Sequence, residues 1–353
     1  MPASIALSHF LFAMFIAGVS ATLLVAILVA IFFRDVVIEE YSTATSEHKF
    51  SSLELGGLAV IGAYIVGIST IQWLGQNTPI QEGYFLGYLA SLLVISALST
   101  YATVKPTKIK VFLVGQIVAI SILMLAGIVI EEFHLPWVGW VVGGWWSYPL
   151  TLLWVLGLTR AYRHMDGPEG VAVNAAVIAS GFFSFVCFQY QSIFIYLCSL
   201  VLFSAALGFF AFTRLLGTAA IGSIGSTFLG FSFAVMAIIA GLYDYSHTSM
   251  LVVPLLLFHC IFDVAFTHIR RLWDSSAASG RKTAFLYQLL GQAGYSSRSV
   301  TLIYTVMAVT QGLGAIMLVN IQGSSRIAVF LPFILAQTIY AVWVIALPKP
   351  RES

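Results

Sequence analysis

The stretch AIGSIGSTFLGFSFAVMAIIAGLY, residues 220–243, holds no charged residue and no proline. As a helix it rises about 36 Å. The hydrocarbon core of a bilayer is about 30 Å thick and takes about 20 apolar residues to cross. Working outward from it, ten further runs pass the same test: 6–33, 55–74, 83–101, 111–130, 144–160, 171–187, 192–212, 250–269, 300–319 and 327–347. The run at 144–160 is preceded by Trp137 and Trp140 and opens on Trp145 and Trp146, which read as an interfacial aromatic belt leading into a helix. The first run lacks a basic flank and is too long for a cleaved signal peptide.

Composition agrees. Of 353 residues, 60% are hydrophobic and 8% charged, whereas soluble domains carry about a quarter charged residues. The expected fold is therefore all-α, a single integral membrane domain over 1–353 with about eleven transmembrane helices. The 16 Lys and Arg against 14 Asp and Glu leave no basic stripe for nucleic acid and no acidic tail. Cys187, Cys198 and Cys260 all lie in apolar runs, which speaks for packing rather than disulfides or a thiolate metal cage.

The cations set the sidedness. With the N-terminus outside, only Arg326 of the 16 Lys and Arg falls on the outer side. Cytoplasmic loops carry that excess of cations, so the C-terminus is expected inside. The outer loops 75–82, 188–191 and 244–249 are short. The longer connections 34–54 and 270–299, with the segments 102–110 and 160–170, are internal, so a cleft with chemistry is expected on the cytosolic face. Apart from His9, His259 and Asp263 the spans offer almost no ionisable groups, and no repeat is visible; a pump or flippase is disfavoured. There is no P-loop, no His-Glu-x-x-His and no nucleophile elbow.

Four inner segments together carry a resemblance. They are His48-Lys49 followed by Leu55-Gly56-Gly57-Leu58-Ala59; Lys110 and Gln116 opening the fourth span; Asp166-Gly167-Pro168-Glu169-Gly170; and a last group in two parts. That group comprises Gly222, Gly225-Ser226-Thr227-Phe228-Leu229-Gly230, then Phe262-Asp263, Arg270-Arg271 and Leu289-Leu290-Gly291-Gln292-Ala293-Gly294-Tyr295. In order and spacing they resemble the polyprenyl-phosphate N-acetylhexosamine-1-phosphate transferase superfamily over about 300 residues. The superfamily includes the undecaprenyl-phosphate GlcNAc-1-phosphate transferases and the phospho-MurNAc-pentapeptide translocases. The resemblance implies a ten- or eleven-helix bundle in the bacterial inner membrane. It also implies magnesium-dependent transfer of a sugar 1-phosphate from a UDP-sugar to a polyprenyl phosphate, in cell-envelope polysaccharide synthesis.

The chain departs from that family where the family does its chemistry. An aspartate pair falls on Thr100 and Tyr101, and two asparagines near the metal fall on Arg160 and Arg163. The second aspartate of the Asp-Gly motif is Glu169. The magnesium-ligand aspartate is Ser223, and an upstream asparagine is Thr213. A histidine cluster falls on Ala284, Leu286 and Tyr287. Magnesium is held by one or two carboxylates plus substrate phosphates. Two like unit charges about 4 Å apart cost about 4 kcal/mol at an effective dielectric near 20. No metal ligand set, and no cofactor, is therefore expected.

Several residues keep two readings. Asp166 and Glu169 suit a capping box for the following helix, with Pro168 in its first turn; alternatively they contact ligand as residual catalytic groups. Arg160, Arg163 and Lys110, with Lys105 and Lys108, are the cations any inner loop carries; alternatively the guanidiniums hold a phosphate bidentately. Asp263, His48 and Ser223 are expected to shape the cleft, Asp263 by hydrogen bonding beside His259 on one helix face. Tyr287 and Tyr295 read as interface anchors. Two functions follow. One is a pseudoenzyme that binds lipid phosphate or serves as an assembly partner; the other is an active transferase in which Arg160 and Arg163 replace part of the metal site. The partners implied are the bilayer, polyprenyl phosphate and a UDP-sugar, with homo- or hetero-oligomerisation open.

Overall fold

The computed structural model describes residues 52–74, 82–104, 109–135, 139–167, 170–216, 221–242, 250–273, 284–321 and 323–347, with residues 15, 18, 19 and 22. Its helices are α1 (Ser52–Leu74), α2 (Glu82–Val104), α3 (Ile109–Leu125), α4 (Ser147–His164), α5 (Val171–Gln189), α6 (Ile193–Leu216), α7 (Gly222–Leu242), α8 (Val252–Leu256), α9 (Phe258–Trp273), α10 (Leu286–Gln292), α11 (Ser297–Asn320) and α12 (Phe330–Ala346). Among the described residues, seven stretches are long and apolar enough to cross a membrane: 56–73, 83–103, 171–189, 193–211, 222–241, 297–320 and 325–346. The segment Val111–Leu125 is a shorter apolar helix. Most of the first expected run, 6–33, lies outside the described residues; each of the other ten contains a helix.

The stretch that decides the fold is its axis. Helix α7 is almost wholly buried and packs against α1, α2, α4, α5, α6 and α8. Glycine lets two of these neighbours come close. A Cβ added at Gly57 of α1 would stand 2.5 Å from the Cα of Gly225, so these two helices touch backbone to backbone. At Gly230 an added Cβ would stand 2.9 Å from the Cα of Thr159 on α4. Without a hydrophobic force between helices in lipid, such close approach supplies the van der Waals contact that holds them. Two polar contacts cross the bundle: the Tyr64 and Tyr88 hydroxyls lie 2.8 Å apart, and Trp154 Nε1 donates to the Ala234 carbonyl at 3.0 Å.

Three expected spans end differently. The run 111–130 stops as a helix at Leu125. Gly127, at φ 86°, turns the chain, and Ile128 N–H donates to Leu123 O while Gly127 N–H donates to Met124 O. This is the Schellman pair that closes a helix. The aromatic segment does not run straight into a helix. It opens with an antiparallel ribbon of β1 (Glu132–Leu135) and β2 (Gly139–Val142), pairing Glu132 with Val142 and Leu135 with Gly139. A 3-10 turn, Gly144–Trp146, precedes α4 and carries the exposed, stacked Trp145 and Trp146, ring centroids 4.0 Å apart. Among the described residues the bundle is thus helical apart from this short ribbon and its turns. Finally, the run 250–269 is broken at Leu257, between α8 and α9. Pro254 cannot serve as a backbone donor in this segment. Across the break Gln311 Oε1 accepts from both the backbone N–H (3.3 Å) and Nδ1 (2.6 Å) of His259.

Candidate functional site

The C-terminal ends of α2, α4 and α9 and the first turns of α3, α7 and α10 meet at one end of the bundle. Asp263 of α9, 1% exposed, is the organiser. Its carboxylate accepts from Leu286 N–H (2.8 Å), Tyr287 N–H (3.4 Å), the Tyr304 hydroxyl (2.8 Å) and the Thr267 hydroxyl (3.3 Å). Helix α10 begins after Phe285, whose side chain offers no acceptor for the first free amides. Asp263 caps those amides from a different helix, and Gln288 Oε1 accepts from Phe285 N–H at 3.1 Å. At its other end α10 closes on Gly294, φ 92°, with Tyr295 N–H donating to Leu290 O.

Tyr287 sits inside this network rather than at an interface. It is 2% exposed, and its hydroxyl donates to the carbonyls of His164 (3.1 Å) and Asp166 (3.3 Å) while accepting from Gln288 Nε2 (3.1 Å). It ties α10 to the Asp166 loop. Tyr295 is 36% exposed and packs edge-on against Trp343.

The Asp166 loop differs from a capping box. Helix α5 begins after Gly170, which sits at φ 73° with no side-chain cap. The Asp166 carboxylate faces another helix and accepts from Ile221 N–H at 3.1 Å, at the start of α7. A residue thought to serve the helix after it holds the helix two spans on. Glu169, the other half of the expected box, lies outside the described residues, as do His48, Lys105 and Lys108.

Ser223, in the first turn of α7, lies 3.1 Å by hydroxyl from Thr103 of α2. Thr103 also donates to Ser99 O at 2.9 Å, so Ser223 donates to Thr103. Thr100 likewise donates to its own helix, at Ser96 O. Where the resemblance puts the magnesium-ligand aspartate, the neutral hydroxyl of Ser223 therefore joins α7 to Thr103 of α2. Among the described residues no three His, Cys, Asp or Glu side chains gather into a ligand set. The one described carboxylate of the Asp-Gly motif is directed at a backbone amide. Magnesium prefers several oxygen ligands with carboxylate charge among them, and the described side chains here do not match that preference.

Cations surround this end. Arg160 is exposed, and Arg163, half-buried, lays its guanidinium over the Phe112 ring, 4.5 Å from the centroid. Lys110 is in the first turn of α3, two residues before Phe112. Arg270 Nη2 donates to Ala284 O at 2.8 Å, and the Arg271 guanidinium stands 5.1 Å over the Phe285 ring. His164 packs on the same ring at 5.1 Å and lies 6.1 Å from the His268 ring. Removal of water from part of its ring, then repulsion from His268, Arg163, Arg271 and Arg160, lowers His164 to about 4. It is neutral at physiological pH. Neither histidine stands at a motif position, so no local pattern singles them out. Gln116, which does, is buried in α3 with both amide atoms unpartnered among the described residues.

Comparison with known proteins bears on this end directly. Residues 85–241 match the family described as glycosyl transferase family 4, a segment that includes Thr103, Lys110, Arg160, Arg163, Asp166 and Ser223. Over 285 residues the chain is 28% identical to a probable undecaprenyl-phosphate N-acetylglucosaminyl 1-phosphate transferase of Bacillus subtilis, covering 80% of this chain and 76% of that protein. It is 25% identical over 203 residues to a phospho-N-acetylmuramoyl-pentapeptide-transferase of Latilactobacillus sakei, covering 52% and 60%. With a Streptococcus suis protein of the same description it shares 31% over 91 residues, covering 26% and 27%. By this likeness, carried on a bundle of membrane-length helices, the chain is similar to the polyprenyl-phosphate sugar-1-phosphate transferases.

Proposed function

We propose that this protein is a member of the superfamily that binds polyprenyl phosphate at the inner face of the bacterial plasma membrane without the family's magnesium-dependent transfer. The supporting observation is the Thr103–Ser223 hydroxyl pair, beside an Asp166 carboxylate turned to Ile221 N–H and next to Arg160 and Arg163. Phosphoryl transfer depends on neutralising phosphate charge, in large part by the metal. Guanidiniums neutralise phosphate without a metal and hold it through paired N–H donors. They therefore preserve affinity for a lipid phosphate while removing the ion that activates transfer. Sidedness follows from the cations: this end carries Lys110, Arg160, Arg163, Arg270 and Arg271, and cation-rich ends face the cytoplasm. The role this supports is a lipid-phosphate receptor or an assembly partner in cell-envelope polysaccharide synthesis.

The test is polyprenyl phosphate binding to the purified protein in detergent micelles, comparing wild type with Arg163→Ala. A hydrogen bond to a charged group contributes about 1.5–3 kcal/mol, so affinity falls about 10- to 100-fold. Unchanged binding removes the arginine assignment.

A further inference from the structure

We infer that His164 and His268, with Arg163 and Arg271, form a proton-coupled receptor for a phosphate monoester at this end of the bundle. The inference rests on the phosphate-binding reading above and adds to it two residues that the family resemblance does not reach. Both imidazoles are exposed, so a ligand reaches them, and their rings are 6.1 Å apart. That spacing lets one tetrahedral oxyanion accept from both edges through charge-assisted bonds of about 2.8 Å. His268 Nδ1 lies 2.8 Å from Val264 O, which it reaches as the donor, so Nε2 is the nitrogen left to face a ligand, and it donates to an oxyanion once it takes up a proton with the ligand. The Phe285 ring backs the site, with His164 5.1 Å and Arg271 5.1 Å from its centre.

The groups around His164 are almost all of one sign. From α4 they are Arg160 and Arg163, and from α9 His268 and Arg271. Of the carboxylates of the neighbouring elements, Asp166 accepts from Ile221 N–H, and Asp263 accepts from the α10 amides, Tyr304 and Thr267. Tyr287, on α10, has its hydroxyl on the His164 and Asp166 carbonyls. In this setting His164 gives up its proton, at about pH 4. An arriving dianion reverses the local sign and raises the affinity of His164 for a proton. By linkage, proton and anion then bind each other more tightly by the same factor.

The ligand chemistry is a phosphate monoester, from a lipid headgroup or from a free phosphate. The experiment is calorimetric titration of the full-length protein in neutral detergent at pH 6, 7 and 8, in two buffers of different ionisation enthalpy. The probes are dodecyl phosphate, inorganic phosphate, and sulfate, which does not titrate in this range. The expected result is net proton uptake on binding and an affinity that falls about tenfold from pH 6 to pH 8. His164→Asn/His268→Asn removes both effects while Arg163→Ala only weakens binding. Tighter binding of dodecyl phosphate than of inorganic phosphate identifies the lipid source, and equal binding identifies the free one. Wild-type binding of the probes with no proton uptake overturns this inference and leaves the arginine reading standing. Absence of binding by wild type at every pH overturns both.

Discussion

Replacing Asp263 by alanine removes the acceptor that starts α10. The lost bonds are those from Leu286 N–H, Tyr287 N–H, and the Tyr304 and Thr267 hydroxyls. Tyr304 keeps a neighbour in Tyr340, 3.4 Å by hydroxyl, and the long Tyr287 bond is weak. The firm loss is thus Leu286 N–H, stranded in a buried site, with partial losses at Tyr287 and Tyr304. A buried donor left without a partner costs about 1–3 kcal/mol, so the three together give about 3–4 kcal/mol. Asp263→Asn keeps one oxygen for Leu286 N–H but loses the charge, and costs about 1–2 kcal/mol. The assay is the apparent melting temperature of the purified protein in detergent, read alongside limited proteolysis around α10. Asp263→Ala should melt at least about 5 °C lower and expose the α10 segment, whose Leu286 and Leu290 are otherwise buried. If Ala and Asn behave alike, or Ala stays within about 1 kcal/mol of wild type, Asp263 is not the cap described.

Two further outcomes are expected. Gly57→Ala forces α1 and α7 apart, since the new methyl meets the Gly225 backbone; it should cost about 3 kcal/mol. Gly62→Ala, with nothing within 4 Å, should be neutral or slightly stabilising, and thermal melts of the two variants separate packing from helix propensity. His164 has its folded value lowered to about 4, from an ordinary 6.5. The unfolded chain therefore binds more protons between those values, and stability falls as pH drops from about 6.5 to about 4 and is flat above. His164→Asn should flatten that slope by a small amount, because the ring is exposed, as read by melting temperature against pH.

The membrane bundle was legible because a run such as 220–243 has one physical use, to cross hydrocarbon. Ends were less legible. Gly127 stops α3 through a left-handed turn, and nothing in the run 111–130 distinguishes it from a glycine tolerated inside a helix. The β1–β2 ribbon hides among tryptophans that suit an interface as well as a strand. At the site, the substitutions to Arg160, Arg163 and Ser223 were visible residue by residue. The partners of Asp166 and Tyr287 were not. Asp166 followed by an apolar helix is a cap by local pattern, and only the tertiary path brings Ile221 to it across 55 residues. The histidine pair is likewise joined by packing of α4 against α9, which no local spacing encodes.

The account turns on whether this end of the bundle still runs metal-dependent chemistry. The direct measurement is incubation of purified protein with radiolabelled UDP-GlcNAc and undecaprenyl phosphate, with magnesium and with EDTA. The account predicts no lipid-linked product in either condition. Product formed in magnesium and abolished by EDTA would contradict it and establish an active transferase.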